Sequence, residues 1–534
     1  MMAQYSLHAY DADVFVDGFL GIQQARTEVN GDFRCAAEAE NMETPNGVLQ
    51  PGAASAVMDG EFTDRVETLA SFTRRWYEGS GKNEWYVCCA GGKLYYRQAG
   101  DGNSWVPIQL PSGISAYQKS VWSCVNYEIT PELGENVVDV LLMSNDTDGM
   151  IMVVPPDKPT TYGDLSEYTH NQMAAFTHEE LSSPAWLITT VDTQGYKFGV
   201  IERSFDRIWG ADVQGNPDML VYSAPYDPLD WEQNEETPED GAGNILQPSW
   251  DGDKFCALKQ FGEQLLAFKR NRIWRVLGTN PGVYEFHEQY GGGTALFNTV
   301  AVDKERVLME SANGLSVYDG MSTSDYMREA VQKIWDQLNR DAMDQTCAAL
   351  FRNRYYVAFP MGSSAVNNAM LVYNFSDGTI LYYPDMYVES FMVTEERLFY
   401  ASSTLPGKIL EMKYDSWKTG EASGKATKWI SPWIDFGYKR IQKGGFDLYF
   451  LPEVQGTPVT LKFSIQTEKK TKTKYYTVAP LDAGQQSAKQ HKGKRLHFGG
   501  NGRRFRIIIE TEAGVTAPWR LIGGLQLVVE TDPD

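Results

Sequence analysis

The chain has 534 residues, of which 42% are hydrophobic, and its formal net charge is −22 at pH 7. This length leaves room for about two to four domains with a large buried core. The acidic balance argues against a protein that binds duplex DNA, because neutralising phosphate requires a basic surface. No stretch approaches the roughly 18 consecutive apolar residues of an ordinary membrane-spanning helix.

The N-terminal residues MMAQYSLHAYDADVF contain neither a basic region nor an apolar run, so no secretory signal is expected. Residues 1–64 are predicted to be an extended N-terminal segment with a strand or two. Within it, the stretches DGFLGIQQ and AENMETPNGVLQPGA flank a predicted strand around Phe33–Ala37.

From residue 65 to residue 415 one pattern recurs, in which two strands of alternating apolar and polar residues meet at a tight turn. The turns are rich in Gly, Asn and Asp, as at Gly91-Gly92, Arg270-Asn271 and Asn313-Gly314. Alternation with a period of two, closed by such turn residues, is typical of β-hairpins.

Grouped with their neighbours, the hairpins form about seven units, each of a size that suits one four-stranded antiparallel blade. A closed circle of such blades leaves no long open sheet edge. The chain is therefore predicted to be all-β, with a β-propeller of about seven (six to eight) four-stranded blades in residues 65–415. A pair of stacked β-sandwiches would also give short strands at this spacing, so that alternative remains open.

Two segments interrupt the strand pattern. Residues 324–343, SDYMREAVQKIWDQLNRDAM, are predicted to form one inserted helix that packs across the propeller, and a helix that binds a partner is the alternative. The acidic stretch DPLDWEQNEETPEDGAGN, Asp227–Asn244, is too polar for a core and is expected to connect strands at the surface. The helix would place on one face the apolar residues Met327, Val331, Ile334 and Leu338.

The character of the sequence changes after residue 415. Residues 416–428, SWKTGEASGKATK, are predicted to be a linker, and residues 429–534 contain six or more strand patterns with no helix between them. We expect a C-terminal β-sandwich of jelly-roll or immunoglobulin-like type. Residues 426–534 hold 17 Lys and Arg against 10 Asp and Glu, a net charge of +7, whereas the first 425 residues hold 31 against 60, a net charge of −29.

No stretch carries the pattern of a catalytic, cofactor or metal site. AGDGNSWVPI, residues 99–108, lacks the spacing of a sialidase Asp-box, and no Walker, GxSxG or dinucleotide motif occurs. His170 and His178 are too far apart for a zinc helix, and the acidic stretch lacks the alternating ligands of a calcium loop. YGGGTA, residues 290–295, lacks the Lys and Ser/Thr of a phosphate loop, so a turn is expected there. We therefore predict no enzymatic activity and no cofactor.

The cysteines show no CxxC spacing, and we expect reduced, small buried residues of a protein made in a cytosol rather than zinc ligands. The six are Cys35, Cys88, Cys89, Cys124, Cys256 and Cys347.

The densest basic stretch is KQHKGKRLHFGGNGRRFR, residues 489–506, in which Phe498 and Phe505 lie among the cations. Single-strand nucleic-acid binding uses the same combination, and a plain surface loop is a further alternative. The functional hypothesis for this stretch is contact with a neighbouring subunit or a partner protein. The residues predicted to make that contact are Lys492, Lys494, Arg495, Arg503 and Arg504.

Several phrases taken together resemble the propeller-type tail proteins of bacteriophages. GFLGIQQ followed by AENMETPNGVLQPGA looks like the opening of that group, and DRIWGADVQGNPDMLVYSAPYDPLDW, residues 206–231, is similar to its blade phrase. QLLAFKRNRIWRVLGTNP, ESANGLSVYDG and RNRYYVAFP are similar to further phrases, in the same order along the chain. The resemblance covers most of the chain up to about residue 415 and is strongest to the nozzle, tail-hub or packaged-DNA stabilisation proteins of short-tailed phages.

This resemblance implies a structural virion protein that forms a homo-oligomeric ring, usually of six, below the portal and adaptor of the tail. The ring would extend the DNA channel, help to retain and later release the genome, and serve as an attachment platform. The implied partners are further copies of the chain, the portal-adaptor protein, tail fibre or needle proteins, and genomic DNA that passes without specific binding. The implied location is the virion tail, assembled in the host cytoplasm, with no direct membrane span and no catalytic residues. A channel lined with carboxylates would repel DNA phosphate, which gives the acidic body a physical role.

Two other functions are compatible with the same sequence. A propeller followed by a β-sandwich also suits a module that recognises host glycans, as a receptor-binding or tail-tip component. A glycan-cleaving propeller enzyme is the third possibility. Ring formation would distinguish the first function, glycan affinity of monomers or trimers the second, and release of reducing ends the third.

Overall fold

The computed structural model describes residues 7–8, 11–24, 31–58, 60–74, 83–100, 102–129, 138–155, 186–247, 252–294, 296–311, 314–326, 328–436, 442–480 and 493–532. Within these residues the chain is all-β, with seven four-stranded sheets, two five-stranded sheets and one two-stranded sheet. The predicted fold class, a β-propeller of about seven four-stranded blades with a C-terminal β-sandwich, is confirmed.

The N-terminal segment contains six short strands. They are β1 (Leu7–His8), β2 (Asp11–Val16), β3 (Glu38–Glu40), β4 (Met42–Glu43), β5 (Gln50–Pro51) and β6 (Ser55–Val57). β4 and β5 pair with each other across a 3₁₀ turn at Pro45–Gly47. β1 pairs with β2, and the strands β2, β3 and β6 also pair with distant parts of the chain, as described below.

Blades 1 to 3 follow in chain order, and each is an antiparallel sheet whose strands are neighbours in sequence. Blade 1 contains β7 (Val66–Arg74), β8 (Asn83–Ala90), β9 (Lys93–Gln98) and β10 (Val106–Pro107). Blade 2 contains β11 (Ser123–Ile129), β12 (Val138–Asn145), β13 (Gly149–Val154) and β14 (Leu187–Thr190). Blade 3 contains β15 (Phe198–Ser204), β16 (Arg207–Val213), β17 (Met219–Tyr222) and β18 (Gly243–Leu246).

Blades 4 to 6 repeat this order. The fourth strand of blade 7 is β6, which comes from the N-terminal segment. Blade 4 contains β19 (Ala257–Phe261), β20 (Gln264–Lys269), β21 (Arg272–Leu277) and β22 (Glu285–Tyr290). Blade 5 contains β23 (Ala301–Val302), β24 (Val307–Ser311), β25 (Gly314–Tyr318) and β26 (Thr323–Asp325). Blade 6 contains β27 (Cys347–Phe351), β28 (Arg354–Phe359), β29 (Ala369–Asn374) and β30 (Thr379–Pro384). Blade 7 adds β31 (Ser390–Val393), β32 (Leu398–Ala401) and β33 (Ile409–Met412).

The propeller core consists of hydrophobic clusters that lie between consecutive blades. Separate clusters fill the seams between blades 1 and 2, 2 and 3, 3 and 4, 4 and 5, and 6 and 7. Another joins blade 7 to blade 1 and thereby closes the circle. Because each blade is covered on both faces, its middle strands are largely buried on both faces rather than on one. β13 and β29 are buried at every position.

Closure of the propeller depends on both ends of its chain. β6 pairs with β33, and the backbone N–H of Met58 donates to the carbonyl of Ile409 at 2.8 Å. At the inner side of the seam between blades 7 and 1, the hydroxyl of Ser390 donates to the carbonyl of Val66 at 3.2 Å. The seventh sheet is therefore completed by residues that precede the first.

Two five-stranded sheets form the β-sandwich. Its C-terminal strands are β34 (Thr427–Ile430), β35 (Gln442–Val454), β36 (Val459–Thr467), β37 (Thr471–Val478), β38 (Lys494–Gly502), β39 (Phe505–Thr511) and β40 (Trp519–Asp532). One sheet has the order β1-β2-β40-β35-β38 and the other has the order β3-β34-β39-β36-β37. The aromatic rings of Phe450 and Phe463, one from each sheet, meet with their centres 4.4 Å apart.

The sandwich is therefore not built from residues 429–534 alone, since β1, β2 and β3 come from the N-terminal segment. The N-terminal segment also contacts blade 6, where the backbone N–H of Ile22 donates to the carbonyl of Ile380 at 2.8 Å. A single hydrophobic cluster spans the seam between blades 5 and 6, this N-terminal segment and the interior of the sandwich. The propeller and the sandwich thus share one continuous core.

The single helix predicted for residues 324–343 is absent from the part of this segment that the structure describes. A 3₁₀ turn at Arg328–Val331, one α-helical turn, α1 (Gln332–Trp335), and a 3₁₀ segment at Arg340–Gln345 take its place. Asn339 is extended, and its backbone N–H bonds to the carbonyl of Pro360 instead of continuing a helix. Val331, Ile334 and Leu338 are buried in the shared core. Their apolar side chains therefore serve tertiary packing, although they do not lie on one face of a continuous helix.

The predicted linker, residues 416–428, is also structured. It begins with a one-turn helix, α2 (Ser416–Thr419), and β34 starts before it ends. Ser416 is fully buried, and its hydroxyl donates to the carbonyl of Pro51 at 2.9 Å. This contact ties the segment to β5 and removes the freedom expected of a linker.

No helix among the described residues is long and apolar enough to cross a membrane.

Candidate functional site: the basic edge of the sandwich

The predicted contact residues lie on and after β38, at the free edge of one sandwich sheet. Lys494 and Arg495 begin this strand, and Arg503 and Arg504 form the connection to β39 in the other sheet. All four are exposed. Lys492 lies outside the described residues. The structure therefore places the four described residues along one margin of the sandwich.

Arg495 is held by a carboxylate on the neighbouring strand β35. Its guanidinium donates to Asp447 at 2.6 Å, and the ring Nδ1 of His497 lies 3.0 Å from the other oxygen of that carboxylate. The hydrogen bond from Arg495 lowers the pKa of Asp447 and raises the pKa of Arg495 itself. Surface ion pairs of this kind contribute little to stability, so the pair orients Arg495 more than it stabilises the fold.

The connection at Arg503 and Arg504 is fixed through its backbone. The N–H groups of both residues donate to the carboxylate of Glu468, at 2.7 and 3.3 Å. Burial opposes ionisation of Glu468, but these backbone donors leave its pKa lowered. The guanidinium of Arg504 lies 4.9 Å from the ring centre of Trp433, and that of Arg506 lies at the same distance. Two cations therefore contact one half-buried indole.

A second basic strand, which the sequence analysis did not single out, lies beside the first. β37 is the free edge of the other sheet and is exposed along most of its length. The ammonium of Lys474 lies 6.0 Å from the ring centre of Phe498 on β38, so the two free edges adjoin. The sequence EKKTKTK, with its alternating lysines, was the signal that could have revealed this strand. Lysines on an edge strand also oppose strand addition.

We define the basic edge as the exposed cations of these two strands and the turns beside them. They are Lys469, Lys470, Lys472, Lys474, Lys494, Arg495, Arg503 and Arg504. The carboxylates described above, Asp447 and Glu468, balance only part of this charge. The surplus suits recognition of an acidic surface, because complementary potentials steer association.

An acidic counterpart lies on blade 3, in the connection between β17 and β18. Asp227–Asn244 was predicted to be a surface connection; residues 227–242 form a loop, and Gly243 and Asn244 begin β18. The exposed carboxylates of this loop include Glu232, Glu235, Glu236, Glu239 and Asp240. We call these five residues the acidic loop. Side-chain turns order it: Asp230 accepts from the N–H of Glu232, and Asn234 from the N–H of Glu236.

Arg207, a residue that the sequence analysis did not identify, anchors this loop from inside the blade. It is fully buried, and its guanidinium donates to the carbonyls of Ser223 at 2.7 Å and Gly241 at 2.6 Å. It also donates to the carbonyl of Glu239. The loop is therefore held in one conformation although its carboxylates point to solvent.

Asp101, His170 and His178 fall outside the described residues. Gly293 has a positive φ of 109°, and a side chain there would collide with the carbonyl oxygen of Lys269, 2.3 Å away. Among the described residues, no group of three or more His, Cys, Asp or Glu is placed to hold a metal ion. None of the six cysteines forms a disulfide. Burial raises the pKa of Cys89 and of Cys256 to about 12.

Comparisons with known proteins found similarity at the level of structure. No family model matches the chain, and no curated protein matches its sequence. A catalytically inactive variant of virginiamycin B lyase from Staphylococcus aureus with quinupristin matches at 9% identity and a TM-score of 0.39, over 68% of this chain and 98% of that one. The WD40 domain of Neurospora crassa Pan2 matches at 10% identity and a TM-score of 0.32, over 68% of this chain and 90% of that domain.

Proposed function

We propose that this protein is a structural subunit of a bacteriophage tail, of the nozzle type, that assembles with further copies into a ring around the DNA channel. In this proposal the ring lies below the portal-adaptor protein, helps to retain and release the genome, and carries tail fibres or a needle. The subunit acts through its surfaces and performs no chemistry of its own.

The separation of charge between two surfaces of one chain is the observation that carries the proposal. The basic edge lies on the sandwich, and the acidic loop lies on blade 3 of an acidic propeller. A contact between two different surfaces of identical subunits is heterologous, and it generates a closed ring when its rotation closes. We therefore infer that the basic edge of one subunit contacts the acidic loop of the next.

Rigidity of the subunit supports the same function. The core that joins blades 5 and 6 to the sandwich fixes the angle between the two charged surfaces. A fixed angle is what a ring requires, because a flexible joint would give open chains of variable curvature. The net charge of −29 in the first 425 residues would also give the channel an acidic wall, to which the phosphates of DNA do not adhere.

Native mass spectrometry and negative-stain microscopy of the purified full-length chain test this proposal. At low ionic strength and micromolar concentration we expect closed rings, of about six copies, with a central opening. At high salt we expect dissociation, because screening shortens the reach of surface charges to about 3 Å at 1 M. A chain that remains monomeric at every salt and protein concentration would contradict the proposal.

A further inference from the structure

Tyr226 exposes a large aromatic side chain beside the acidic loop. It lies in the same connection between β17 and β18, one residue before Asp227, and 68% of the residue is exposed. A single exposed apolar side chain is ordinary on a protein surface. The backbone of Tyr226 is therefore the more informative observation.

That backbone is held in a conformation that favours glycine. The φ angle of Tyr226 is 60°, in the left-handed region, and its N–H donates to the carbonyl of Asp206 at 2.7 Å. The hydrogen bond between its phenol and the side chain of Asp206 raises the pKa of Tyr226. A bulky residue is strained in this region, whereas glycine adopts it readily. Because strained residues concentrate at binding and switch sites, the side chain is retained at a cost that contact with a partner would offset.

Tyr475 is the corresponding residue on the basic edge. It lies within the free strand β37, directly after Lys474, and 61% of the residue is exposed. Thr473 and Thr477 lie on the same face of the strand, because alternate residues share a face. Their hydroxyls bond to hydroxyls of β36 at 2.8 and 2.9 Å. Small side chains that are already paired therefore flank the aromatic side chain of Tyr475 and leave it open to a partner.

Each of the two charged surfaces thus carries one exposed tyrosine, Tyr226 with the carboxylates and Tyr475 with the cations. Specific interfaces have aromatic side chains enriched at their centre and polar side chains at their rim. We propose that Tyr226 of one subunit packs against Tyr475 of the next, at the centre of the contact between the acidic loop and the basic edge. This inference rests on the proposed ring and names the residues that hold it together. The charges determine how fast subunits meet, and the two tyrosines determine how slowly they separate.

Exchange of subunits between rings measures how slowly they separate. For each variant, isotopically labelled rings are mixed with unlabelled rings at low salt, and native mass spectra follow the mixed masses. Tyr475→Ser should speed exchange at least about tenfold. The salt dependence of association should stay that of the wild type, because no charge is removed. Leu405→Ser, which removes a 65% exposed apolar side chain from blade 7, is the matched control and should exchange at the wild-type rate.

Tyr226→Gly separates a role in the contact from a role in the fold. Glycine accepts the positive φ angle, so the Tm of this variant should equal or exceed that of the wild type. Its rings should nevertheless exchange at least about tenfold faster. An unchanged exchange rate would show that Tyr226 has no part in the contact. A lower Tm together with faster exchange would assign Tyr226 to the fold and overturn the proposal.

A mixture of the two variants tests the pairing itself. In a mixed dimer one contact is intact, between Tyr226 of the Tyr475→Ser chain and Tyr475 of the Tyr226→Gly chain. Dimers with one chain of each kind should therefore exceed dimers of either chain alone at least about fivefold. Mixed dimers in statistical proportion would refute the pairing.

Failure of this inference is distinct from failure of the proposed function. Wild-type rings, with exchange unchanged in both variants, would refute the tyrosine contact and leave the ring itself standing. A wild-type chain that stays monomeric at every salt and protein concentration would refute both. The two variants alter exposed side chains of different domains, so should one fail to fold, the other still decides.

Discussion

The phenol of Tyr383 donates a hydrogen bond of 2.9 Å to the carboxylate of Glu43, across 340 positions of the chain. Tyr383 belongs to blade 6 and Glu43 to β4, and both side chains are buried. Burial raises the pKa of Glu43, and the positive charge of Arg354 opposes that effect. This pair is one of the contacts that attach the N-terminal segment to the propeller.

Removal of the phenol should weaken this attachment. Tyr383→Phe leaves the ring in place but takes away a donor to a buried carboxyl group, which typically costs about 1–3 kcal/mol of unfolding free energy. Chemical denaturation at neutral pH measures the loss. Tyr387→Phe, which changes an exposed tyrosine nearby, is the matched control and should leave the unfolding free energy unchanged. Equal stability of both variants would contradict the assigned role.

Glu310 should make the stability of the protein fall as pH rises. Both of its carboxyl oxygens are buried and have no hydrogen-bond partner among the described residues, and burial raises its pKa well above the usual value. The unfolded chain loses this proton above about pH 4.3, whereas the folded chain keeps it until its own raised pKa. Between these two values this group lowers the unfolding free energy by up to about 1.4 kcal/mol per pH unit.

Comparison of the wild type with Glu310→Gln isolates that contribution. The variant cannot ionise at this position, so its stability relative to the wild type should increase from pH 5 to pH 8. Denaturation curves at several pH values provide the measurement. A difference that stays constant with pH would show that Glu310 is charged in the folded protein.

Closure of blade 7 should depend on the backbone of β6 and of Met58, the residue that follows it, more than on their side chains. Met58→Pro removes the N–H that donates to the carbonyl of Ile409, and it should lower the unfolding free energy by roughly 1–3 kcal/mol. Met58→Ala keeps this donor and is the control for loss of the side chain. Thermal unfolding of the two variants separates the effects, and an equal loss in both would contradict a backbone closure.

Ring assembly should respond to reversal of charge at the basic edge. Lys472→Glu combined with Lys474→Glu would place like charges opposite the acidic loop of the next subunit, so the fraction of rings should fall at least tenfold at low salt. Adding Glu235→Lys and Glu236→Lys to the same chain should restore assembly. Lys304→Glu, on an exposed propeller turn, is the control. Native mass spectra report the populations, and rings that persist in the first double variant would exclude this contact.

The sequence alone predicted the features that arise from neighbouring residues. Gly91 and Gly92 join β8 to β9 with positive φ angles of 56° and 71°, the backbone that a two-residue hairpin requires. The run of such hairpins was sufficient for the propeller, because each blade is made largely of consecutive strands. The net charge of the last domain was likewise predictable, since counting its Lys, Arg, Asp and Glu residues requires no knowledge of the fold.

Tertiary structure alone decided which distant segments meet. Ala39 pairs with Trp429, and Val14 with Leu527, because the N-terminal strands supply backbone partners to β34 and β40, which would otherwise be sheet edges. The alternation of apolar and polar residues along a strand does not indicate which strand, hundreds of residues away, it pairs with. The same packing against blade 6 broke the helix predicted for 324–343, because buried contacts outweigh a weak local propensity. The lysines of β37 and β38 can be read from the sequence. Only the packing of the two sheets against each other brings them together at one edge of the sandwich.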